Sequence, residues 1–586
     1  MLRRLLPIAC FVLPSVATTL NDSPISLDLR NTDPFEENSS GHGIVISILG
    51  VILFIWYLAI ILVSLIGVIF VRINNGQYHP PAVDVRLPRG PMVGGNLSSS
   101  RTNTNDTNSS NPESNDDEIE GVTILRPLKG IDTEMKSCLV SAFLQNYPKF
   151  EIIFCVESQY DPAIPIAQAL IDKFPAVDAK LLIDTEETHY GPNPKVNNLA
   201  KGYKQAKYDI IWVLDSNVWV AAGAMSRSVM AFRKPGRGGR RIKLVHHLPL
   251  CVSLDSTMTA SWGSKLDEMF MLTSHSKFYT AINEVAIAPC VTGKSNLYRR
   301  SDLDAAVAVK LAKKNEELIK KQYRQTERAL TPDFSKSTEQ SIPLSPCSAS
   351  TSSTSLSNNY PNQDNTISVS SNPFSNESEV LPGTGIRNFA QYIAEDNMIA
   401  VCLWEDGDGR TRLSSDSVVQ PLADVSLKGY WDRRVRWLRV RRYMVSAATY
   451  VEPTTESICS GIFGTFAICV LFLSTPDGLP RYWSWTWFLF HMVTWCVIDY
   501  FHFHVLLAFK NMDNVNRPYF VSKYFSPFAG PMACRPRSLQ TWLPAWCLRE
   551  VLAFPIWLTA MLGQDIYWRD RPFRILNDLS TEEIIE

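Results

Sequence analysis

Two kinds of apolar run alternate along this chain, and they predict different structures. Residues 44–71 contain no charged side chain, and a run of that length crosses a bilayer with some tilt. From residue 121 the apolar runs shorten. Residues 122–125, 151–156, 180–183 and 210–214 read as buried strands, with helical patterns at 135–143 and 163–174 between them. Strand and helix alternate at the spacing of parallel βαβ units. Long apolar runs return at 458–473, 483–498 and 545–562, the last despite Arg549 and Glu550. The pattern predicts an α/β domain set between N-terminal and C-terminal transmembrane helices.

Polar and biased segments divide the chain further. Residues 1–20 read as a secretory signal: Arg3 and Arg4 precede an apolar centre, and Ser15-Val16-Ala17 offers a small-residue cleavage site. A short membrane anchor is the alternative. Residues 21–43 form a lumenal tail in this reading, with Asn21 and Asn38 as glycosylation acceptors. Acidic residues precede the span, whereas Arg72, Arg86 and Arg89 follow it, which puts the basic side in the cytosol. Residues 72–120 are rich in Pro, Gly, Ser and Asn and predict a disordered linker. The catalytic domain is expected in two parts, 121–300 and 384–457. Between them, 301–383 is a low-complexity insertion that opens with a lysine-rich helical pattern. Residues 438–449 are amphipathic and arginine-rich and suit a helix on the membrane surface. A C-terminal transmembrane region, 458–570, and a tail, 571–586, complete the chain. Arg549-Glu550 is either a functional intramembrane pair or a pair that snorkels to an interface.

Composition narrows the function. A formal charge of -1 over 586 residues gives no bulk attraction to nucleic acid. Twelve cysteines without a CxxC pair argue against a zinc module or a disulfide framework. The tryptophans that cluster after Trp431 beside apolar runs suit a membrane interface.

Candidate chemistry lies at strand ends and in two later phrases. Asp161 and Asp215 follow strands at the carboxyl edge, where open α/β sheets gather their chemistry, although either alone could be a loop acid. Glu395-Asp396 supplies paired carboxylates that can accept a proton from an alcohol. Arg433, Arg434 and Arg436 supply guanidiniums that can hold a diphosphate, or the basic flank of a span, and Trp437 adds an indole. Acid and anion clamp together suggest group transfer from a phosphate-bearing donor.

Several phrases occur in a telling order: Leu128-Lys129-Gly130, Cys155-Val156-Glu157 leading to Asp161-Pro162, Asn193-Pro194-Lys195-Val196-Asn197-Asn198-Leu199, and residues 212–216. Thr273-Ser274-His275, Val291-Thr292-Gly293, residues 389–396 and Arg433 to Trp437 follow. With these the chain resembles the ceramide glucosyltransferase family, in a fungal-type form. The resemblance implies a GT-A, Rossmann-like mixed sheet and inverting transfer of glucose from UDP-glucose to ceramide. It further implies a multi-pass enzyme of the Golgi or ER membrane with a cytosolic catalytic domain. By match, Asp161, Asp215 and Asp396 are the three active-site acids, with Arg433, Arg436 and Trp437 as the (R/Q)xxRW motif. Asp396 is the expected base. Asp161, Glu157 and Lys195 are expected at the donor, and Asp215 on a Mg²⁺ or Mn²⁺ ion. His275 and Cys290 fall at positions tied to donor or inhibitor sensitivity; a buried core role is the alternative for each. Many GT-A enzymes carry DxD where this chain has Asp215-Ser216-Asn217, so the metal geometry stays open. A processive polysaccharide synthase, an enzyme acting on another lipid, and a nucleotide-binding membrane scaffold are the competing readings.

Overall fold

A computed structural model of the protein describes residues 34–77, 119–184, 189–254, 261–330, 380–473, 481–512, 516–521, 537–568, 571–576 and 579–584. The signal-like segment, most of the linker and most of the insertion fall outside these residues. The chain divides into two compact units, residues 1–56 with 463–484 and residues 57–462 with 485–586. In the first, the rings of Phe54 and Phe472 meet edge to face at 5.3 Å. The second unit holds the sheet and every residue of the site described below.

Helix α1, Pro34–Asn75, contains the expected span. Among the described residues its Ile44–Asn75 stretch is the one helix long and apolar enough to cross a membrane. A second candidate arises if the bent pair Ser446–Thr455 and Ser457–Phe472 counts as one span.

The sheet is built from β1 Val122–Leu128, β2 Phe150–Val156, β3 Asp178–Ile183, β4 Ile210–Leu214, β5 Trp219–Val220, β6 Ile242–Ser253, β7 Ser295–Arg299 and β8 Arg410–Leu422. Its order is β3-β2-β1-β4-β7-β6-β8-β5. The half from β3 to β4 is parallel, as the alternation predicted. Beyond it the sheet is mixed: β7 runs antiparallel to both β4 and β6, and β8 pairs parallel with β6.

Helices cover both faces, which is why the parallel strands read as unbroken apolar runs. Helices α2 Met135–Phe143, α3 Ile164–Lys173 and α5 Ala224–Phe232 pack on one face with Ile210, Trp212 and Leu214. Helix α4 Pro194–Gln205 packs on the other with Ile211 and Val213. Next come α6 Trp262–Phe270, a single π turn Met271–His275, and α7 Ser276–Val285. Helix α8, Arg300–Leu330, confirms the lysine-rich helical pattern. Its first turns are core: Leu303, Ala306 and Val307 are buried against the α4 face. Asp304 in that turn accepts the backbone N–H groups of Gly383 and Gly385 at 2.6 and 2.9 Å, so the folded domain closes across the insertion.

After α9, Glu395–Glu405, the chain forms α10 Leu427–Met444 and α11 Ser446–Val451. The 438–449 pattern thus belongs to two helices that meet at Val445. Helices α12 Ser457–Phe472, α13 Trp485–Leu507 and α14 Leu539–Met561 occupy the later apolar runs. Residues 505–507 simply continue α13. A three-stranded antiparallel sheet, β9 Asp565–Trp568, β10 Arg571–Ile575 and β11 Thr581–Glu583, ends the fold.

Arg549 and Glu550 do not snorkel. Both are buried and bonded to one another. Arg549 also binds Glu456 at 2.8 Å, and Glu550 accepts from the Ser457 hydroxyl at 2.7 Å. Ser274 of the π turn donates to Glu456 as well, so a buried polar network ties α14 to the centre of the domain.

Candidate active site

Strand direction assembles the site. Strands β1, β2 and β4 all end at one edge, and antiparallel β7 begins there, with Ser295 opposite Leu214. Asp215 and the Gly293-Lys294 pair therefore meet at the strand tips, joined by a bond from the Asp215 N–H to the Lys294 carbonyl at 3.1 Å. Two helix starts face them. Asn193 caps α4 by accepting from the N–H groups of Lys195 and Val196, while Pro194 occupies the first turn without needing a donor. The Asn193 amide donates to the Tyr392 carbonyl at 2.7 Å and to Glu395 at 3.0 Å, which pins the start of α9 beside that of α4.

Lys195 is the hub. Its ammonium lies 2.9 Å from Asp215 Oδ1, 3.0 Å from Glu395 Oε1 and 2.9 Å from the Gly293 carbonyl. Burial opposes its charge, but Asp215 and Glu395 overcome that and raise its pKa. Burial likewise works to raise the Asp215 carboxyl. Lys195, then Lys294, hold it below its ordinary value, so it stays ionised. Asp396 behaves in the opposite way. Burial first and the Glu395 charge second push its carboxyl up to about 7, against the pull of Lys195. Gly293 lies close to both groups: a Cβ there would make tight contacts, 3.2 Å from Asp396 Oδ2 and 3.3 Å from Lys195 Nζ. A small cavity behind the acids is lined by Lys195, Glu395, Asp396, Asn296 and Tyr298.

Lys294 contributes a second ammonium, 3.3 Å from Asp215 Oδ2 and 3.1 Å from Asn217 Oδ1. Two oxygens thus already converge on one cation. Such a pair fits a hard divalent ion whose remaining ligands come from a diphosphate and water. Among the described residues, no group of three or more His, Cys, Asp or Glu side chains could hold a metal without such help.

Of the expected site residues, Lys195, Asp215 and Asp396 come together. The others have partners of their own. Asp161 accepts from the Gly130 N–H with both oxygens at 3.0 Å and from the Ala163 N–H at 2.9 Å, and Gly130 has the positive φ of 69° that this turn needs. Glu157 pairs with Lys129 at 2.8 Å. Arg433 and Arg436 lie on α10, whose start is capped by the Ser426 hydroxyl. Arg433 pairs with buried Asp267 of α6 at 2.5 Å. Burial pushes that acid up to about 6, while Arg433, Arg434 and Lys294 pull it down. Arg436 donates to the Tyr567 carbonyl at 3.4 Å. Trp437 packs near Phe270, whose face carries the Arg434 guanidinium at 3.4 Å. His275 is half-buried and stacked on Tyr279 at 5.1 Å, and burial of its ring lowers its pKa to about 3, which leaves it neutral. Cys290 is partly buried, and its carbonyl accepts from Asn283.

Lys294 and Asp267 are functional candidates that the pattern of residues had not singled out. The one signal for Lys294 was its position directly after Val291-Thr292-Gly293 and before a strand. Asp267 lies in an ordinary amphipathic helix and gave none.

A strand-tip acid held ionised, a helix-start acid with a raised pKa and two lysines between them, on a GT-A-like mixed sheet, define the class: a glycosyltransferase. The profile of glycosyl transferase family 21 matches residues 93–310 and 381–580, and the chain belongs to that family. It is 43% identical over 577 residues to a ceramide glucosyltransferase of Komagataella phaffii, covering 95% of each chain. A ceramide glucosyltransferase of Candida albicans is 39% identical over 81% of this chain and 90% of its own. Among solved structures, a mannosyltransferase from Pyrobaculum calidifontis in complex with GDP-Man and Mn²⁺ is similar at 12% identity. That match has a TM-score of 0.34 and covers 79% of this chain and 97% of the other.

Proposed function

We propose that this protein transfers glucose from UDP-glucose to the primary hydroxyl of ceramide, giving β-glucosylceramide and UDP. The observation that carries the mechanism is the raised carboxyl of Asp396 beside the Lys195–Asp215 pair. A base must hold its proton weakly enough to be ionised and strongly enough to take one from an alcohol, and a pKa near neutrality meets both needs. The glucosyl group and the ceramide acceptor are supported by the relatives at 43% and 39% identity, both ceramide glucosyltransferases.

In this reading the donor lies along the carboxyl edge, with Asp161 and Glu157 at the nucleoside end and Lys195 at the diphosphate. The acceptor oxygen attacks the anomeric carbon from the side opposite UDP, and Asp396 takes the hydroxyl proton. The bond from that carbon to the UDP oxygen breaks as the new glycosidic bond forms, so an α-linked donor gives a β-glucoside. Negative charge grows on the departing diphosphate, where Lys195, Arg433 and Arg436 stabilise it. Asp215 and Asn217 would hold a Mg²⁺ or Mn²⁺ ion, which when bound neutralises the diphosphate. Trp437 packs at the acceptor side, and His275 supports the pocket as a neutral ring.

A two-chain lipid does not leave the bilayer unaided, so the site must open at the membrane surface. Helix α1 anchors the domain in the Golgi or ER membrane, with the site on the cytosolic side. The arginine-rich end of α10, with α11, α13 and α14, forms the lipid entry.

The test is mass analysis of lipids from membranes given labelled UDP-glucose and ceramide. A lipid carrying one β-linked glucose is expected; a polymer, or label in another lipid class, removes the assignment. Asp396→Asn should lower turnover by about 10²–10⁴-fold, the usual contribution of a positioned base, while UDP binding persists. Near-normal turnover in that variant would remove Asp396 from its role.

A further inference from the structure

The two lysines at Asp215 are held in different ways. Lys195 is fixed by three partners, two carboxylates and a carbonyl, in the first turn of a capped helix. Lys294 reaches back from the residue before β7 and, among the described residues, its ammonium meets only oxygens that a metal ion would use, Asp215 Oδ2 at 3.3 Å and Asn217 Oδ1 at 3.1 Å. Its backbone is set by the bond to the Asp215 N–H, but four rotatable carbons separate that backbone from the charge. About a quarter of its side chain is exposed, at 23%. One ammonium is therefore built in, and the other is free to be exchanged.

We propose that Lys294 is an internal competitor for the divalent cation. It occupies the Asp215–Asn217 oxygen pair when no ion is bound and yields it when one arrives. This rests on the glycosyltransferase reading of the site. Both cations cannot share the pair, because an ammonium and a divalent ion at such separations repel strongly in a partly buried setting. Asn217 sharpens the competition. A neutral amide oxygen attracts a divalent ion less than a second carboxylate would, but still accepts from an ammonium. The lysine thus holds the Asp215 and Asn217 oxygens in place in the metal-free enzyme, and sets the concentration of ion needed to displace it.

The experiment measures Mn²⁺ in the presence of saturating UDP, which supplies the diphosphate, without sugar donor or acceptor, on the full-length protein in detergent. The free-ion magnetic resonance signal reports binding, and thermal unfolding confirms the fold of each variant. Lys294→Met removes the charge at similar length and should bind Mn²⁺ at least about tenfold more tightly than the parent, the scale set by losing one nearby like charge. Lys294→Arg, which keeps the charge, should remain within a few-fold of the parent. Lys294→Gln serves in place of the methionine variant if that one does not fold. Equal Mn²⁺ affinity in the parent and the neutral variants, including no binding by either, overturns the proposal. Because no sugar donor is present, tighter Mn²⁺ binding by the neutral variant stands even if glucosyl transfer fails. An active enzyme whose affinity ignores residue 294 overturns the competition alone.

Discussion

Glu395 and Asp396 are neighbours in sequence with opposite tasks. Glu395 is spent on structure: it receives the Asn193 amide at 3.0 Å and the Lys195 ammonium at 3.0 Å. Its negative charge is also the second cause, after burial, of the raised Asp396 carboxyl. A base with a raised pKa loses activity as pH falls through that value, because the protonated acid cannot accept another proton. Glu395→Gln removes one of the three raising causes and leaves burial and the Asp215 charge. The Asp396 pKa should therefore fall, and the acid limb of the kcat/KM profile should move to lower pH. The Lys195–Asp215 pair remains to hold the hub. A pH profile of the variant that coincides with the parent's would show that Glu395 does not tune the base. An upward move of the limb would reverse the sign of the argument.

At the scale of elements, α6 and α10 act as one block that carries the arginines. Gly263, in the first turn of α6, lets the α10 start come close: a Cβ would lie 2.1 Å from the Ser426 carbonyl and 2.4 Å from that of Val425. Both are backbone atoms, so a methyl group must push the α10 cap away, and Arg433 would leave Asp267 with it. Gly263→Ala is expected to cost about 1–3 kcal/mol, the range for overpacking a tight contact. A lower unfolding temperature and weaker UDP binding should appear together; an unchanged melt would show that the helices part freely. None of this was legible in the sequence. The parallel strands were, because burial on both faces writes them as unbroken apolar runs. Strand β6 was hidden by His246, His247 and Pro249, whose polarity is offset only in three dimensions. His246 meets the Tyr279 hydroxyl and His247 that of Ser295. Strand β8 was hidden in the same way by buried Asp416, which answers Arg227 from α5. The three acids were readable as motif positions, whereas the pairing of Asp215 with Lys195 and Lys294 spans gaps that only the fold closes.

For the whole molecule, the question is how Asp215 and Asp396 share one site with a long polar stretch between them. The family profile skips residues 311–380 but includes 301–310. The structure gives the physical reason for that boundary. The first turns of α8 bury Leu303, Ala306 and Val307, and Asp304 receives Gly383 and Gly385, so the chain is stapled on both sides of the insertion before α9 begins. Loop-closure entropy changes slowly with length, by about 0.6 kcal/mol per doubling. Replacing residues 340–370 by a short Gly/Ser linker should therefore leave glucosyl transfer and the unfolding temperature close to those of the parent. Removing 301–383 should abolish folding, since a buried leucine alone is worth about 2–5 kcal/mol and the backbone N–H groups of Gly383 and Gly385 lose their acceptor as well. The point variant Leu303→Ala isolates the cause: it should lower the melting temperature and carry activity down with it while the insertion stays intact. If the short replacement inactivates the enzyme but Leu303→Ala does not destabilise it, the polar stretch itself, and not the turns that precede it, holds the two acids together.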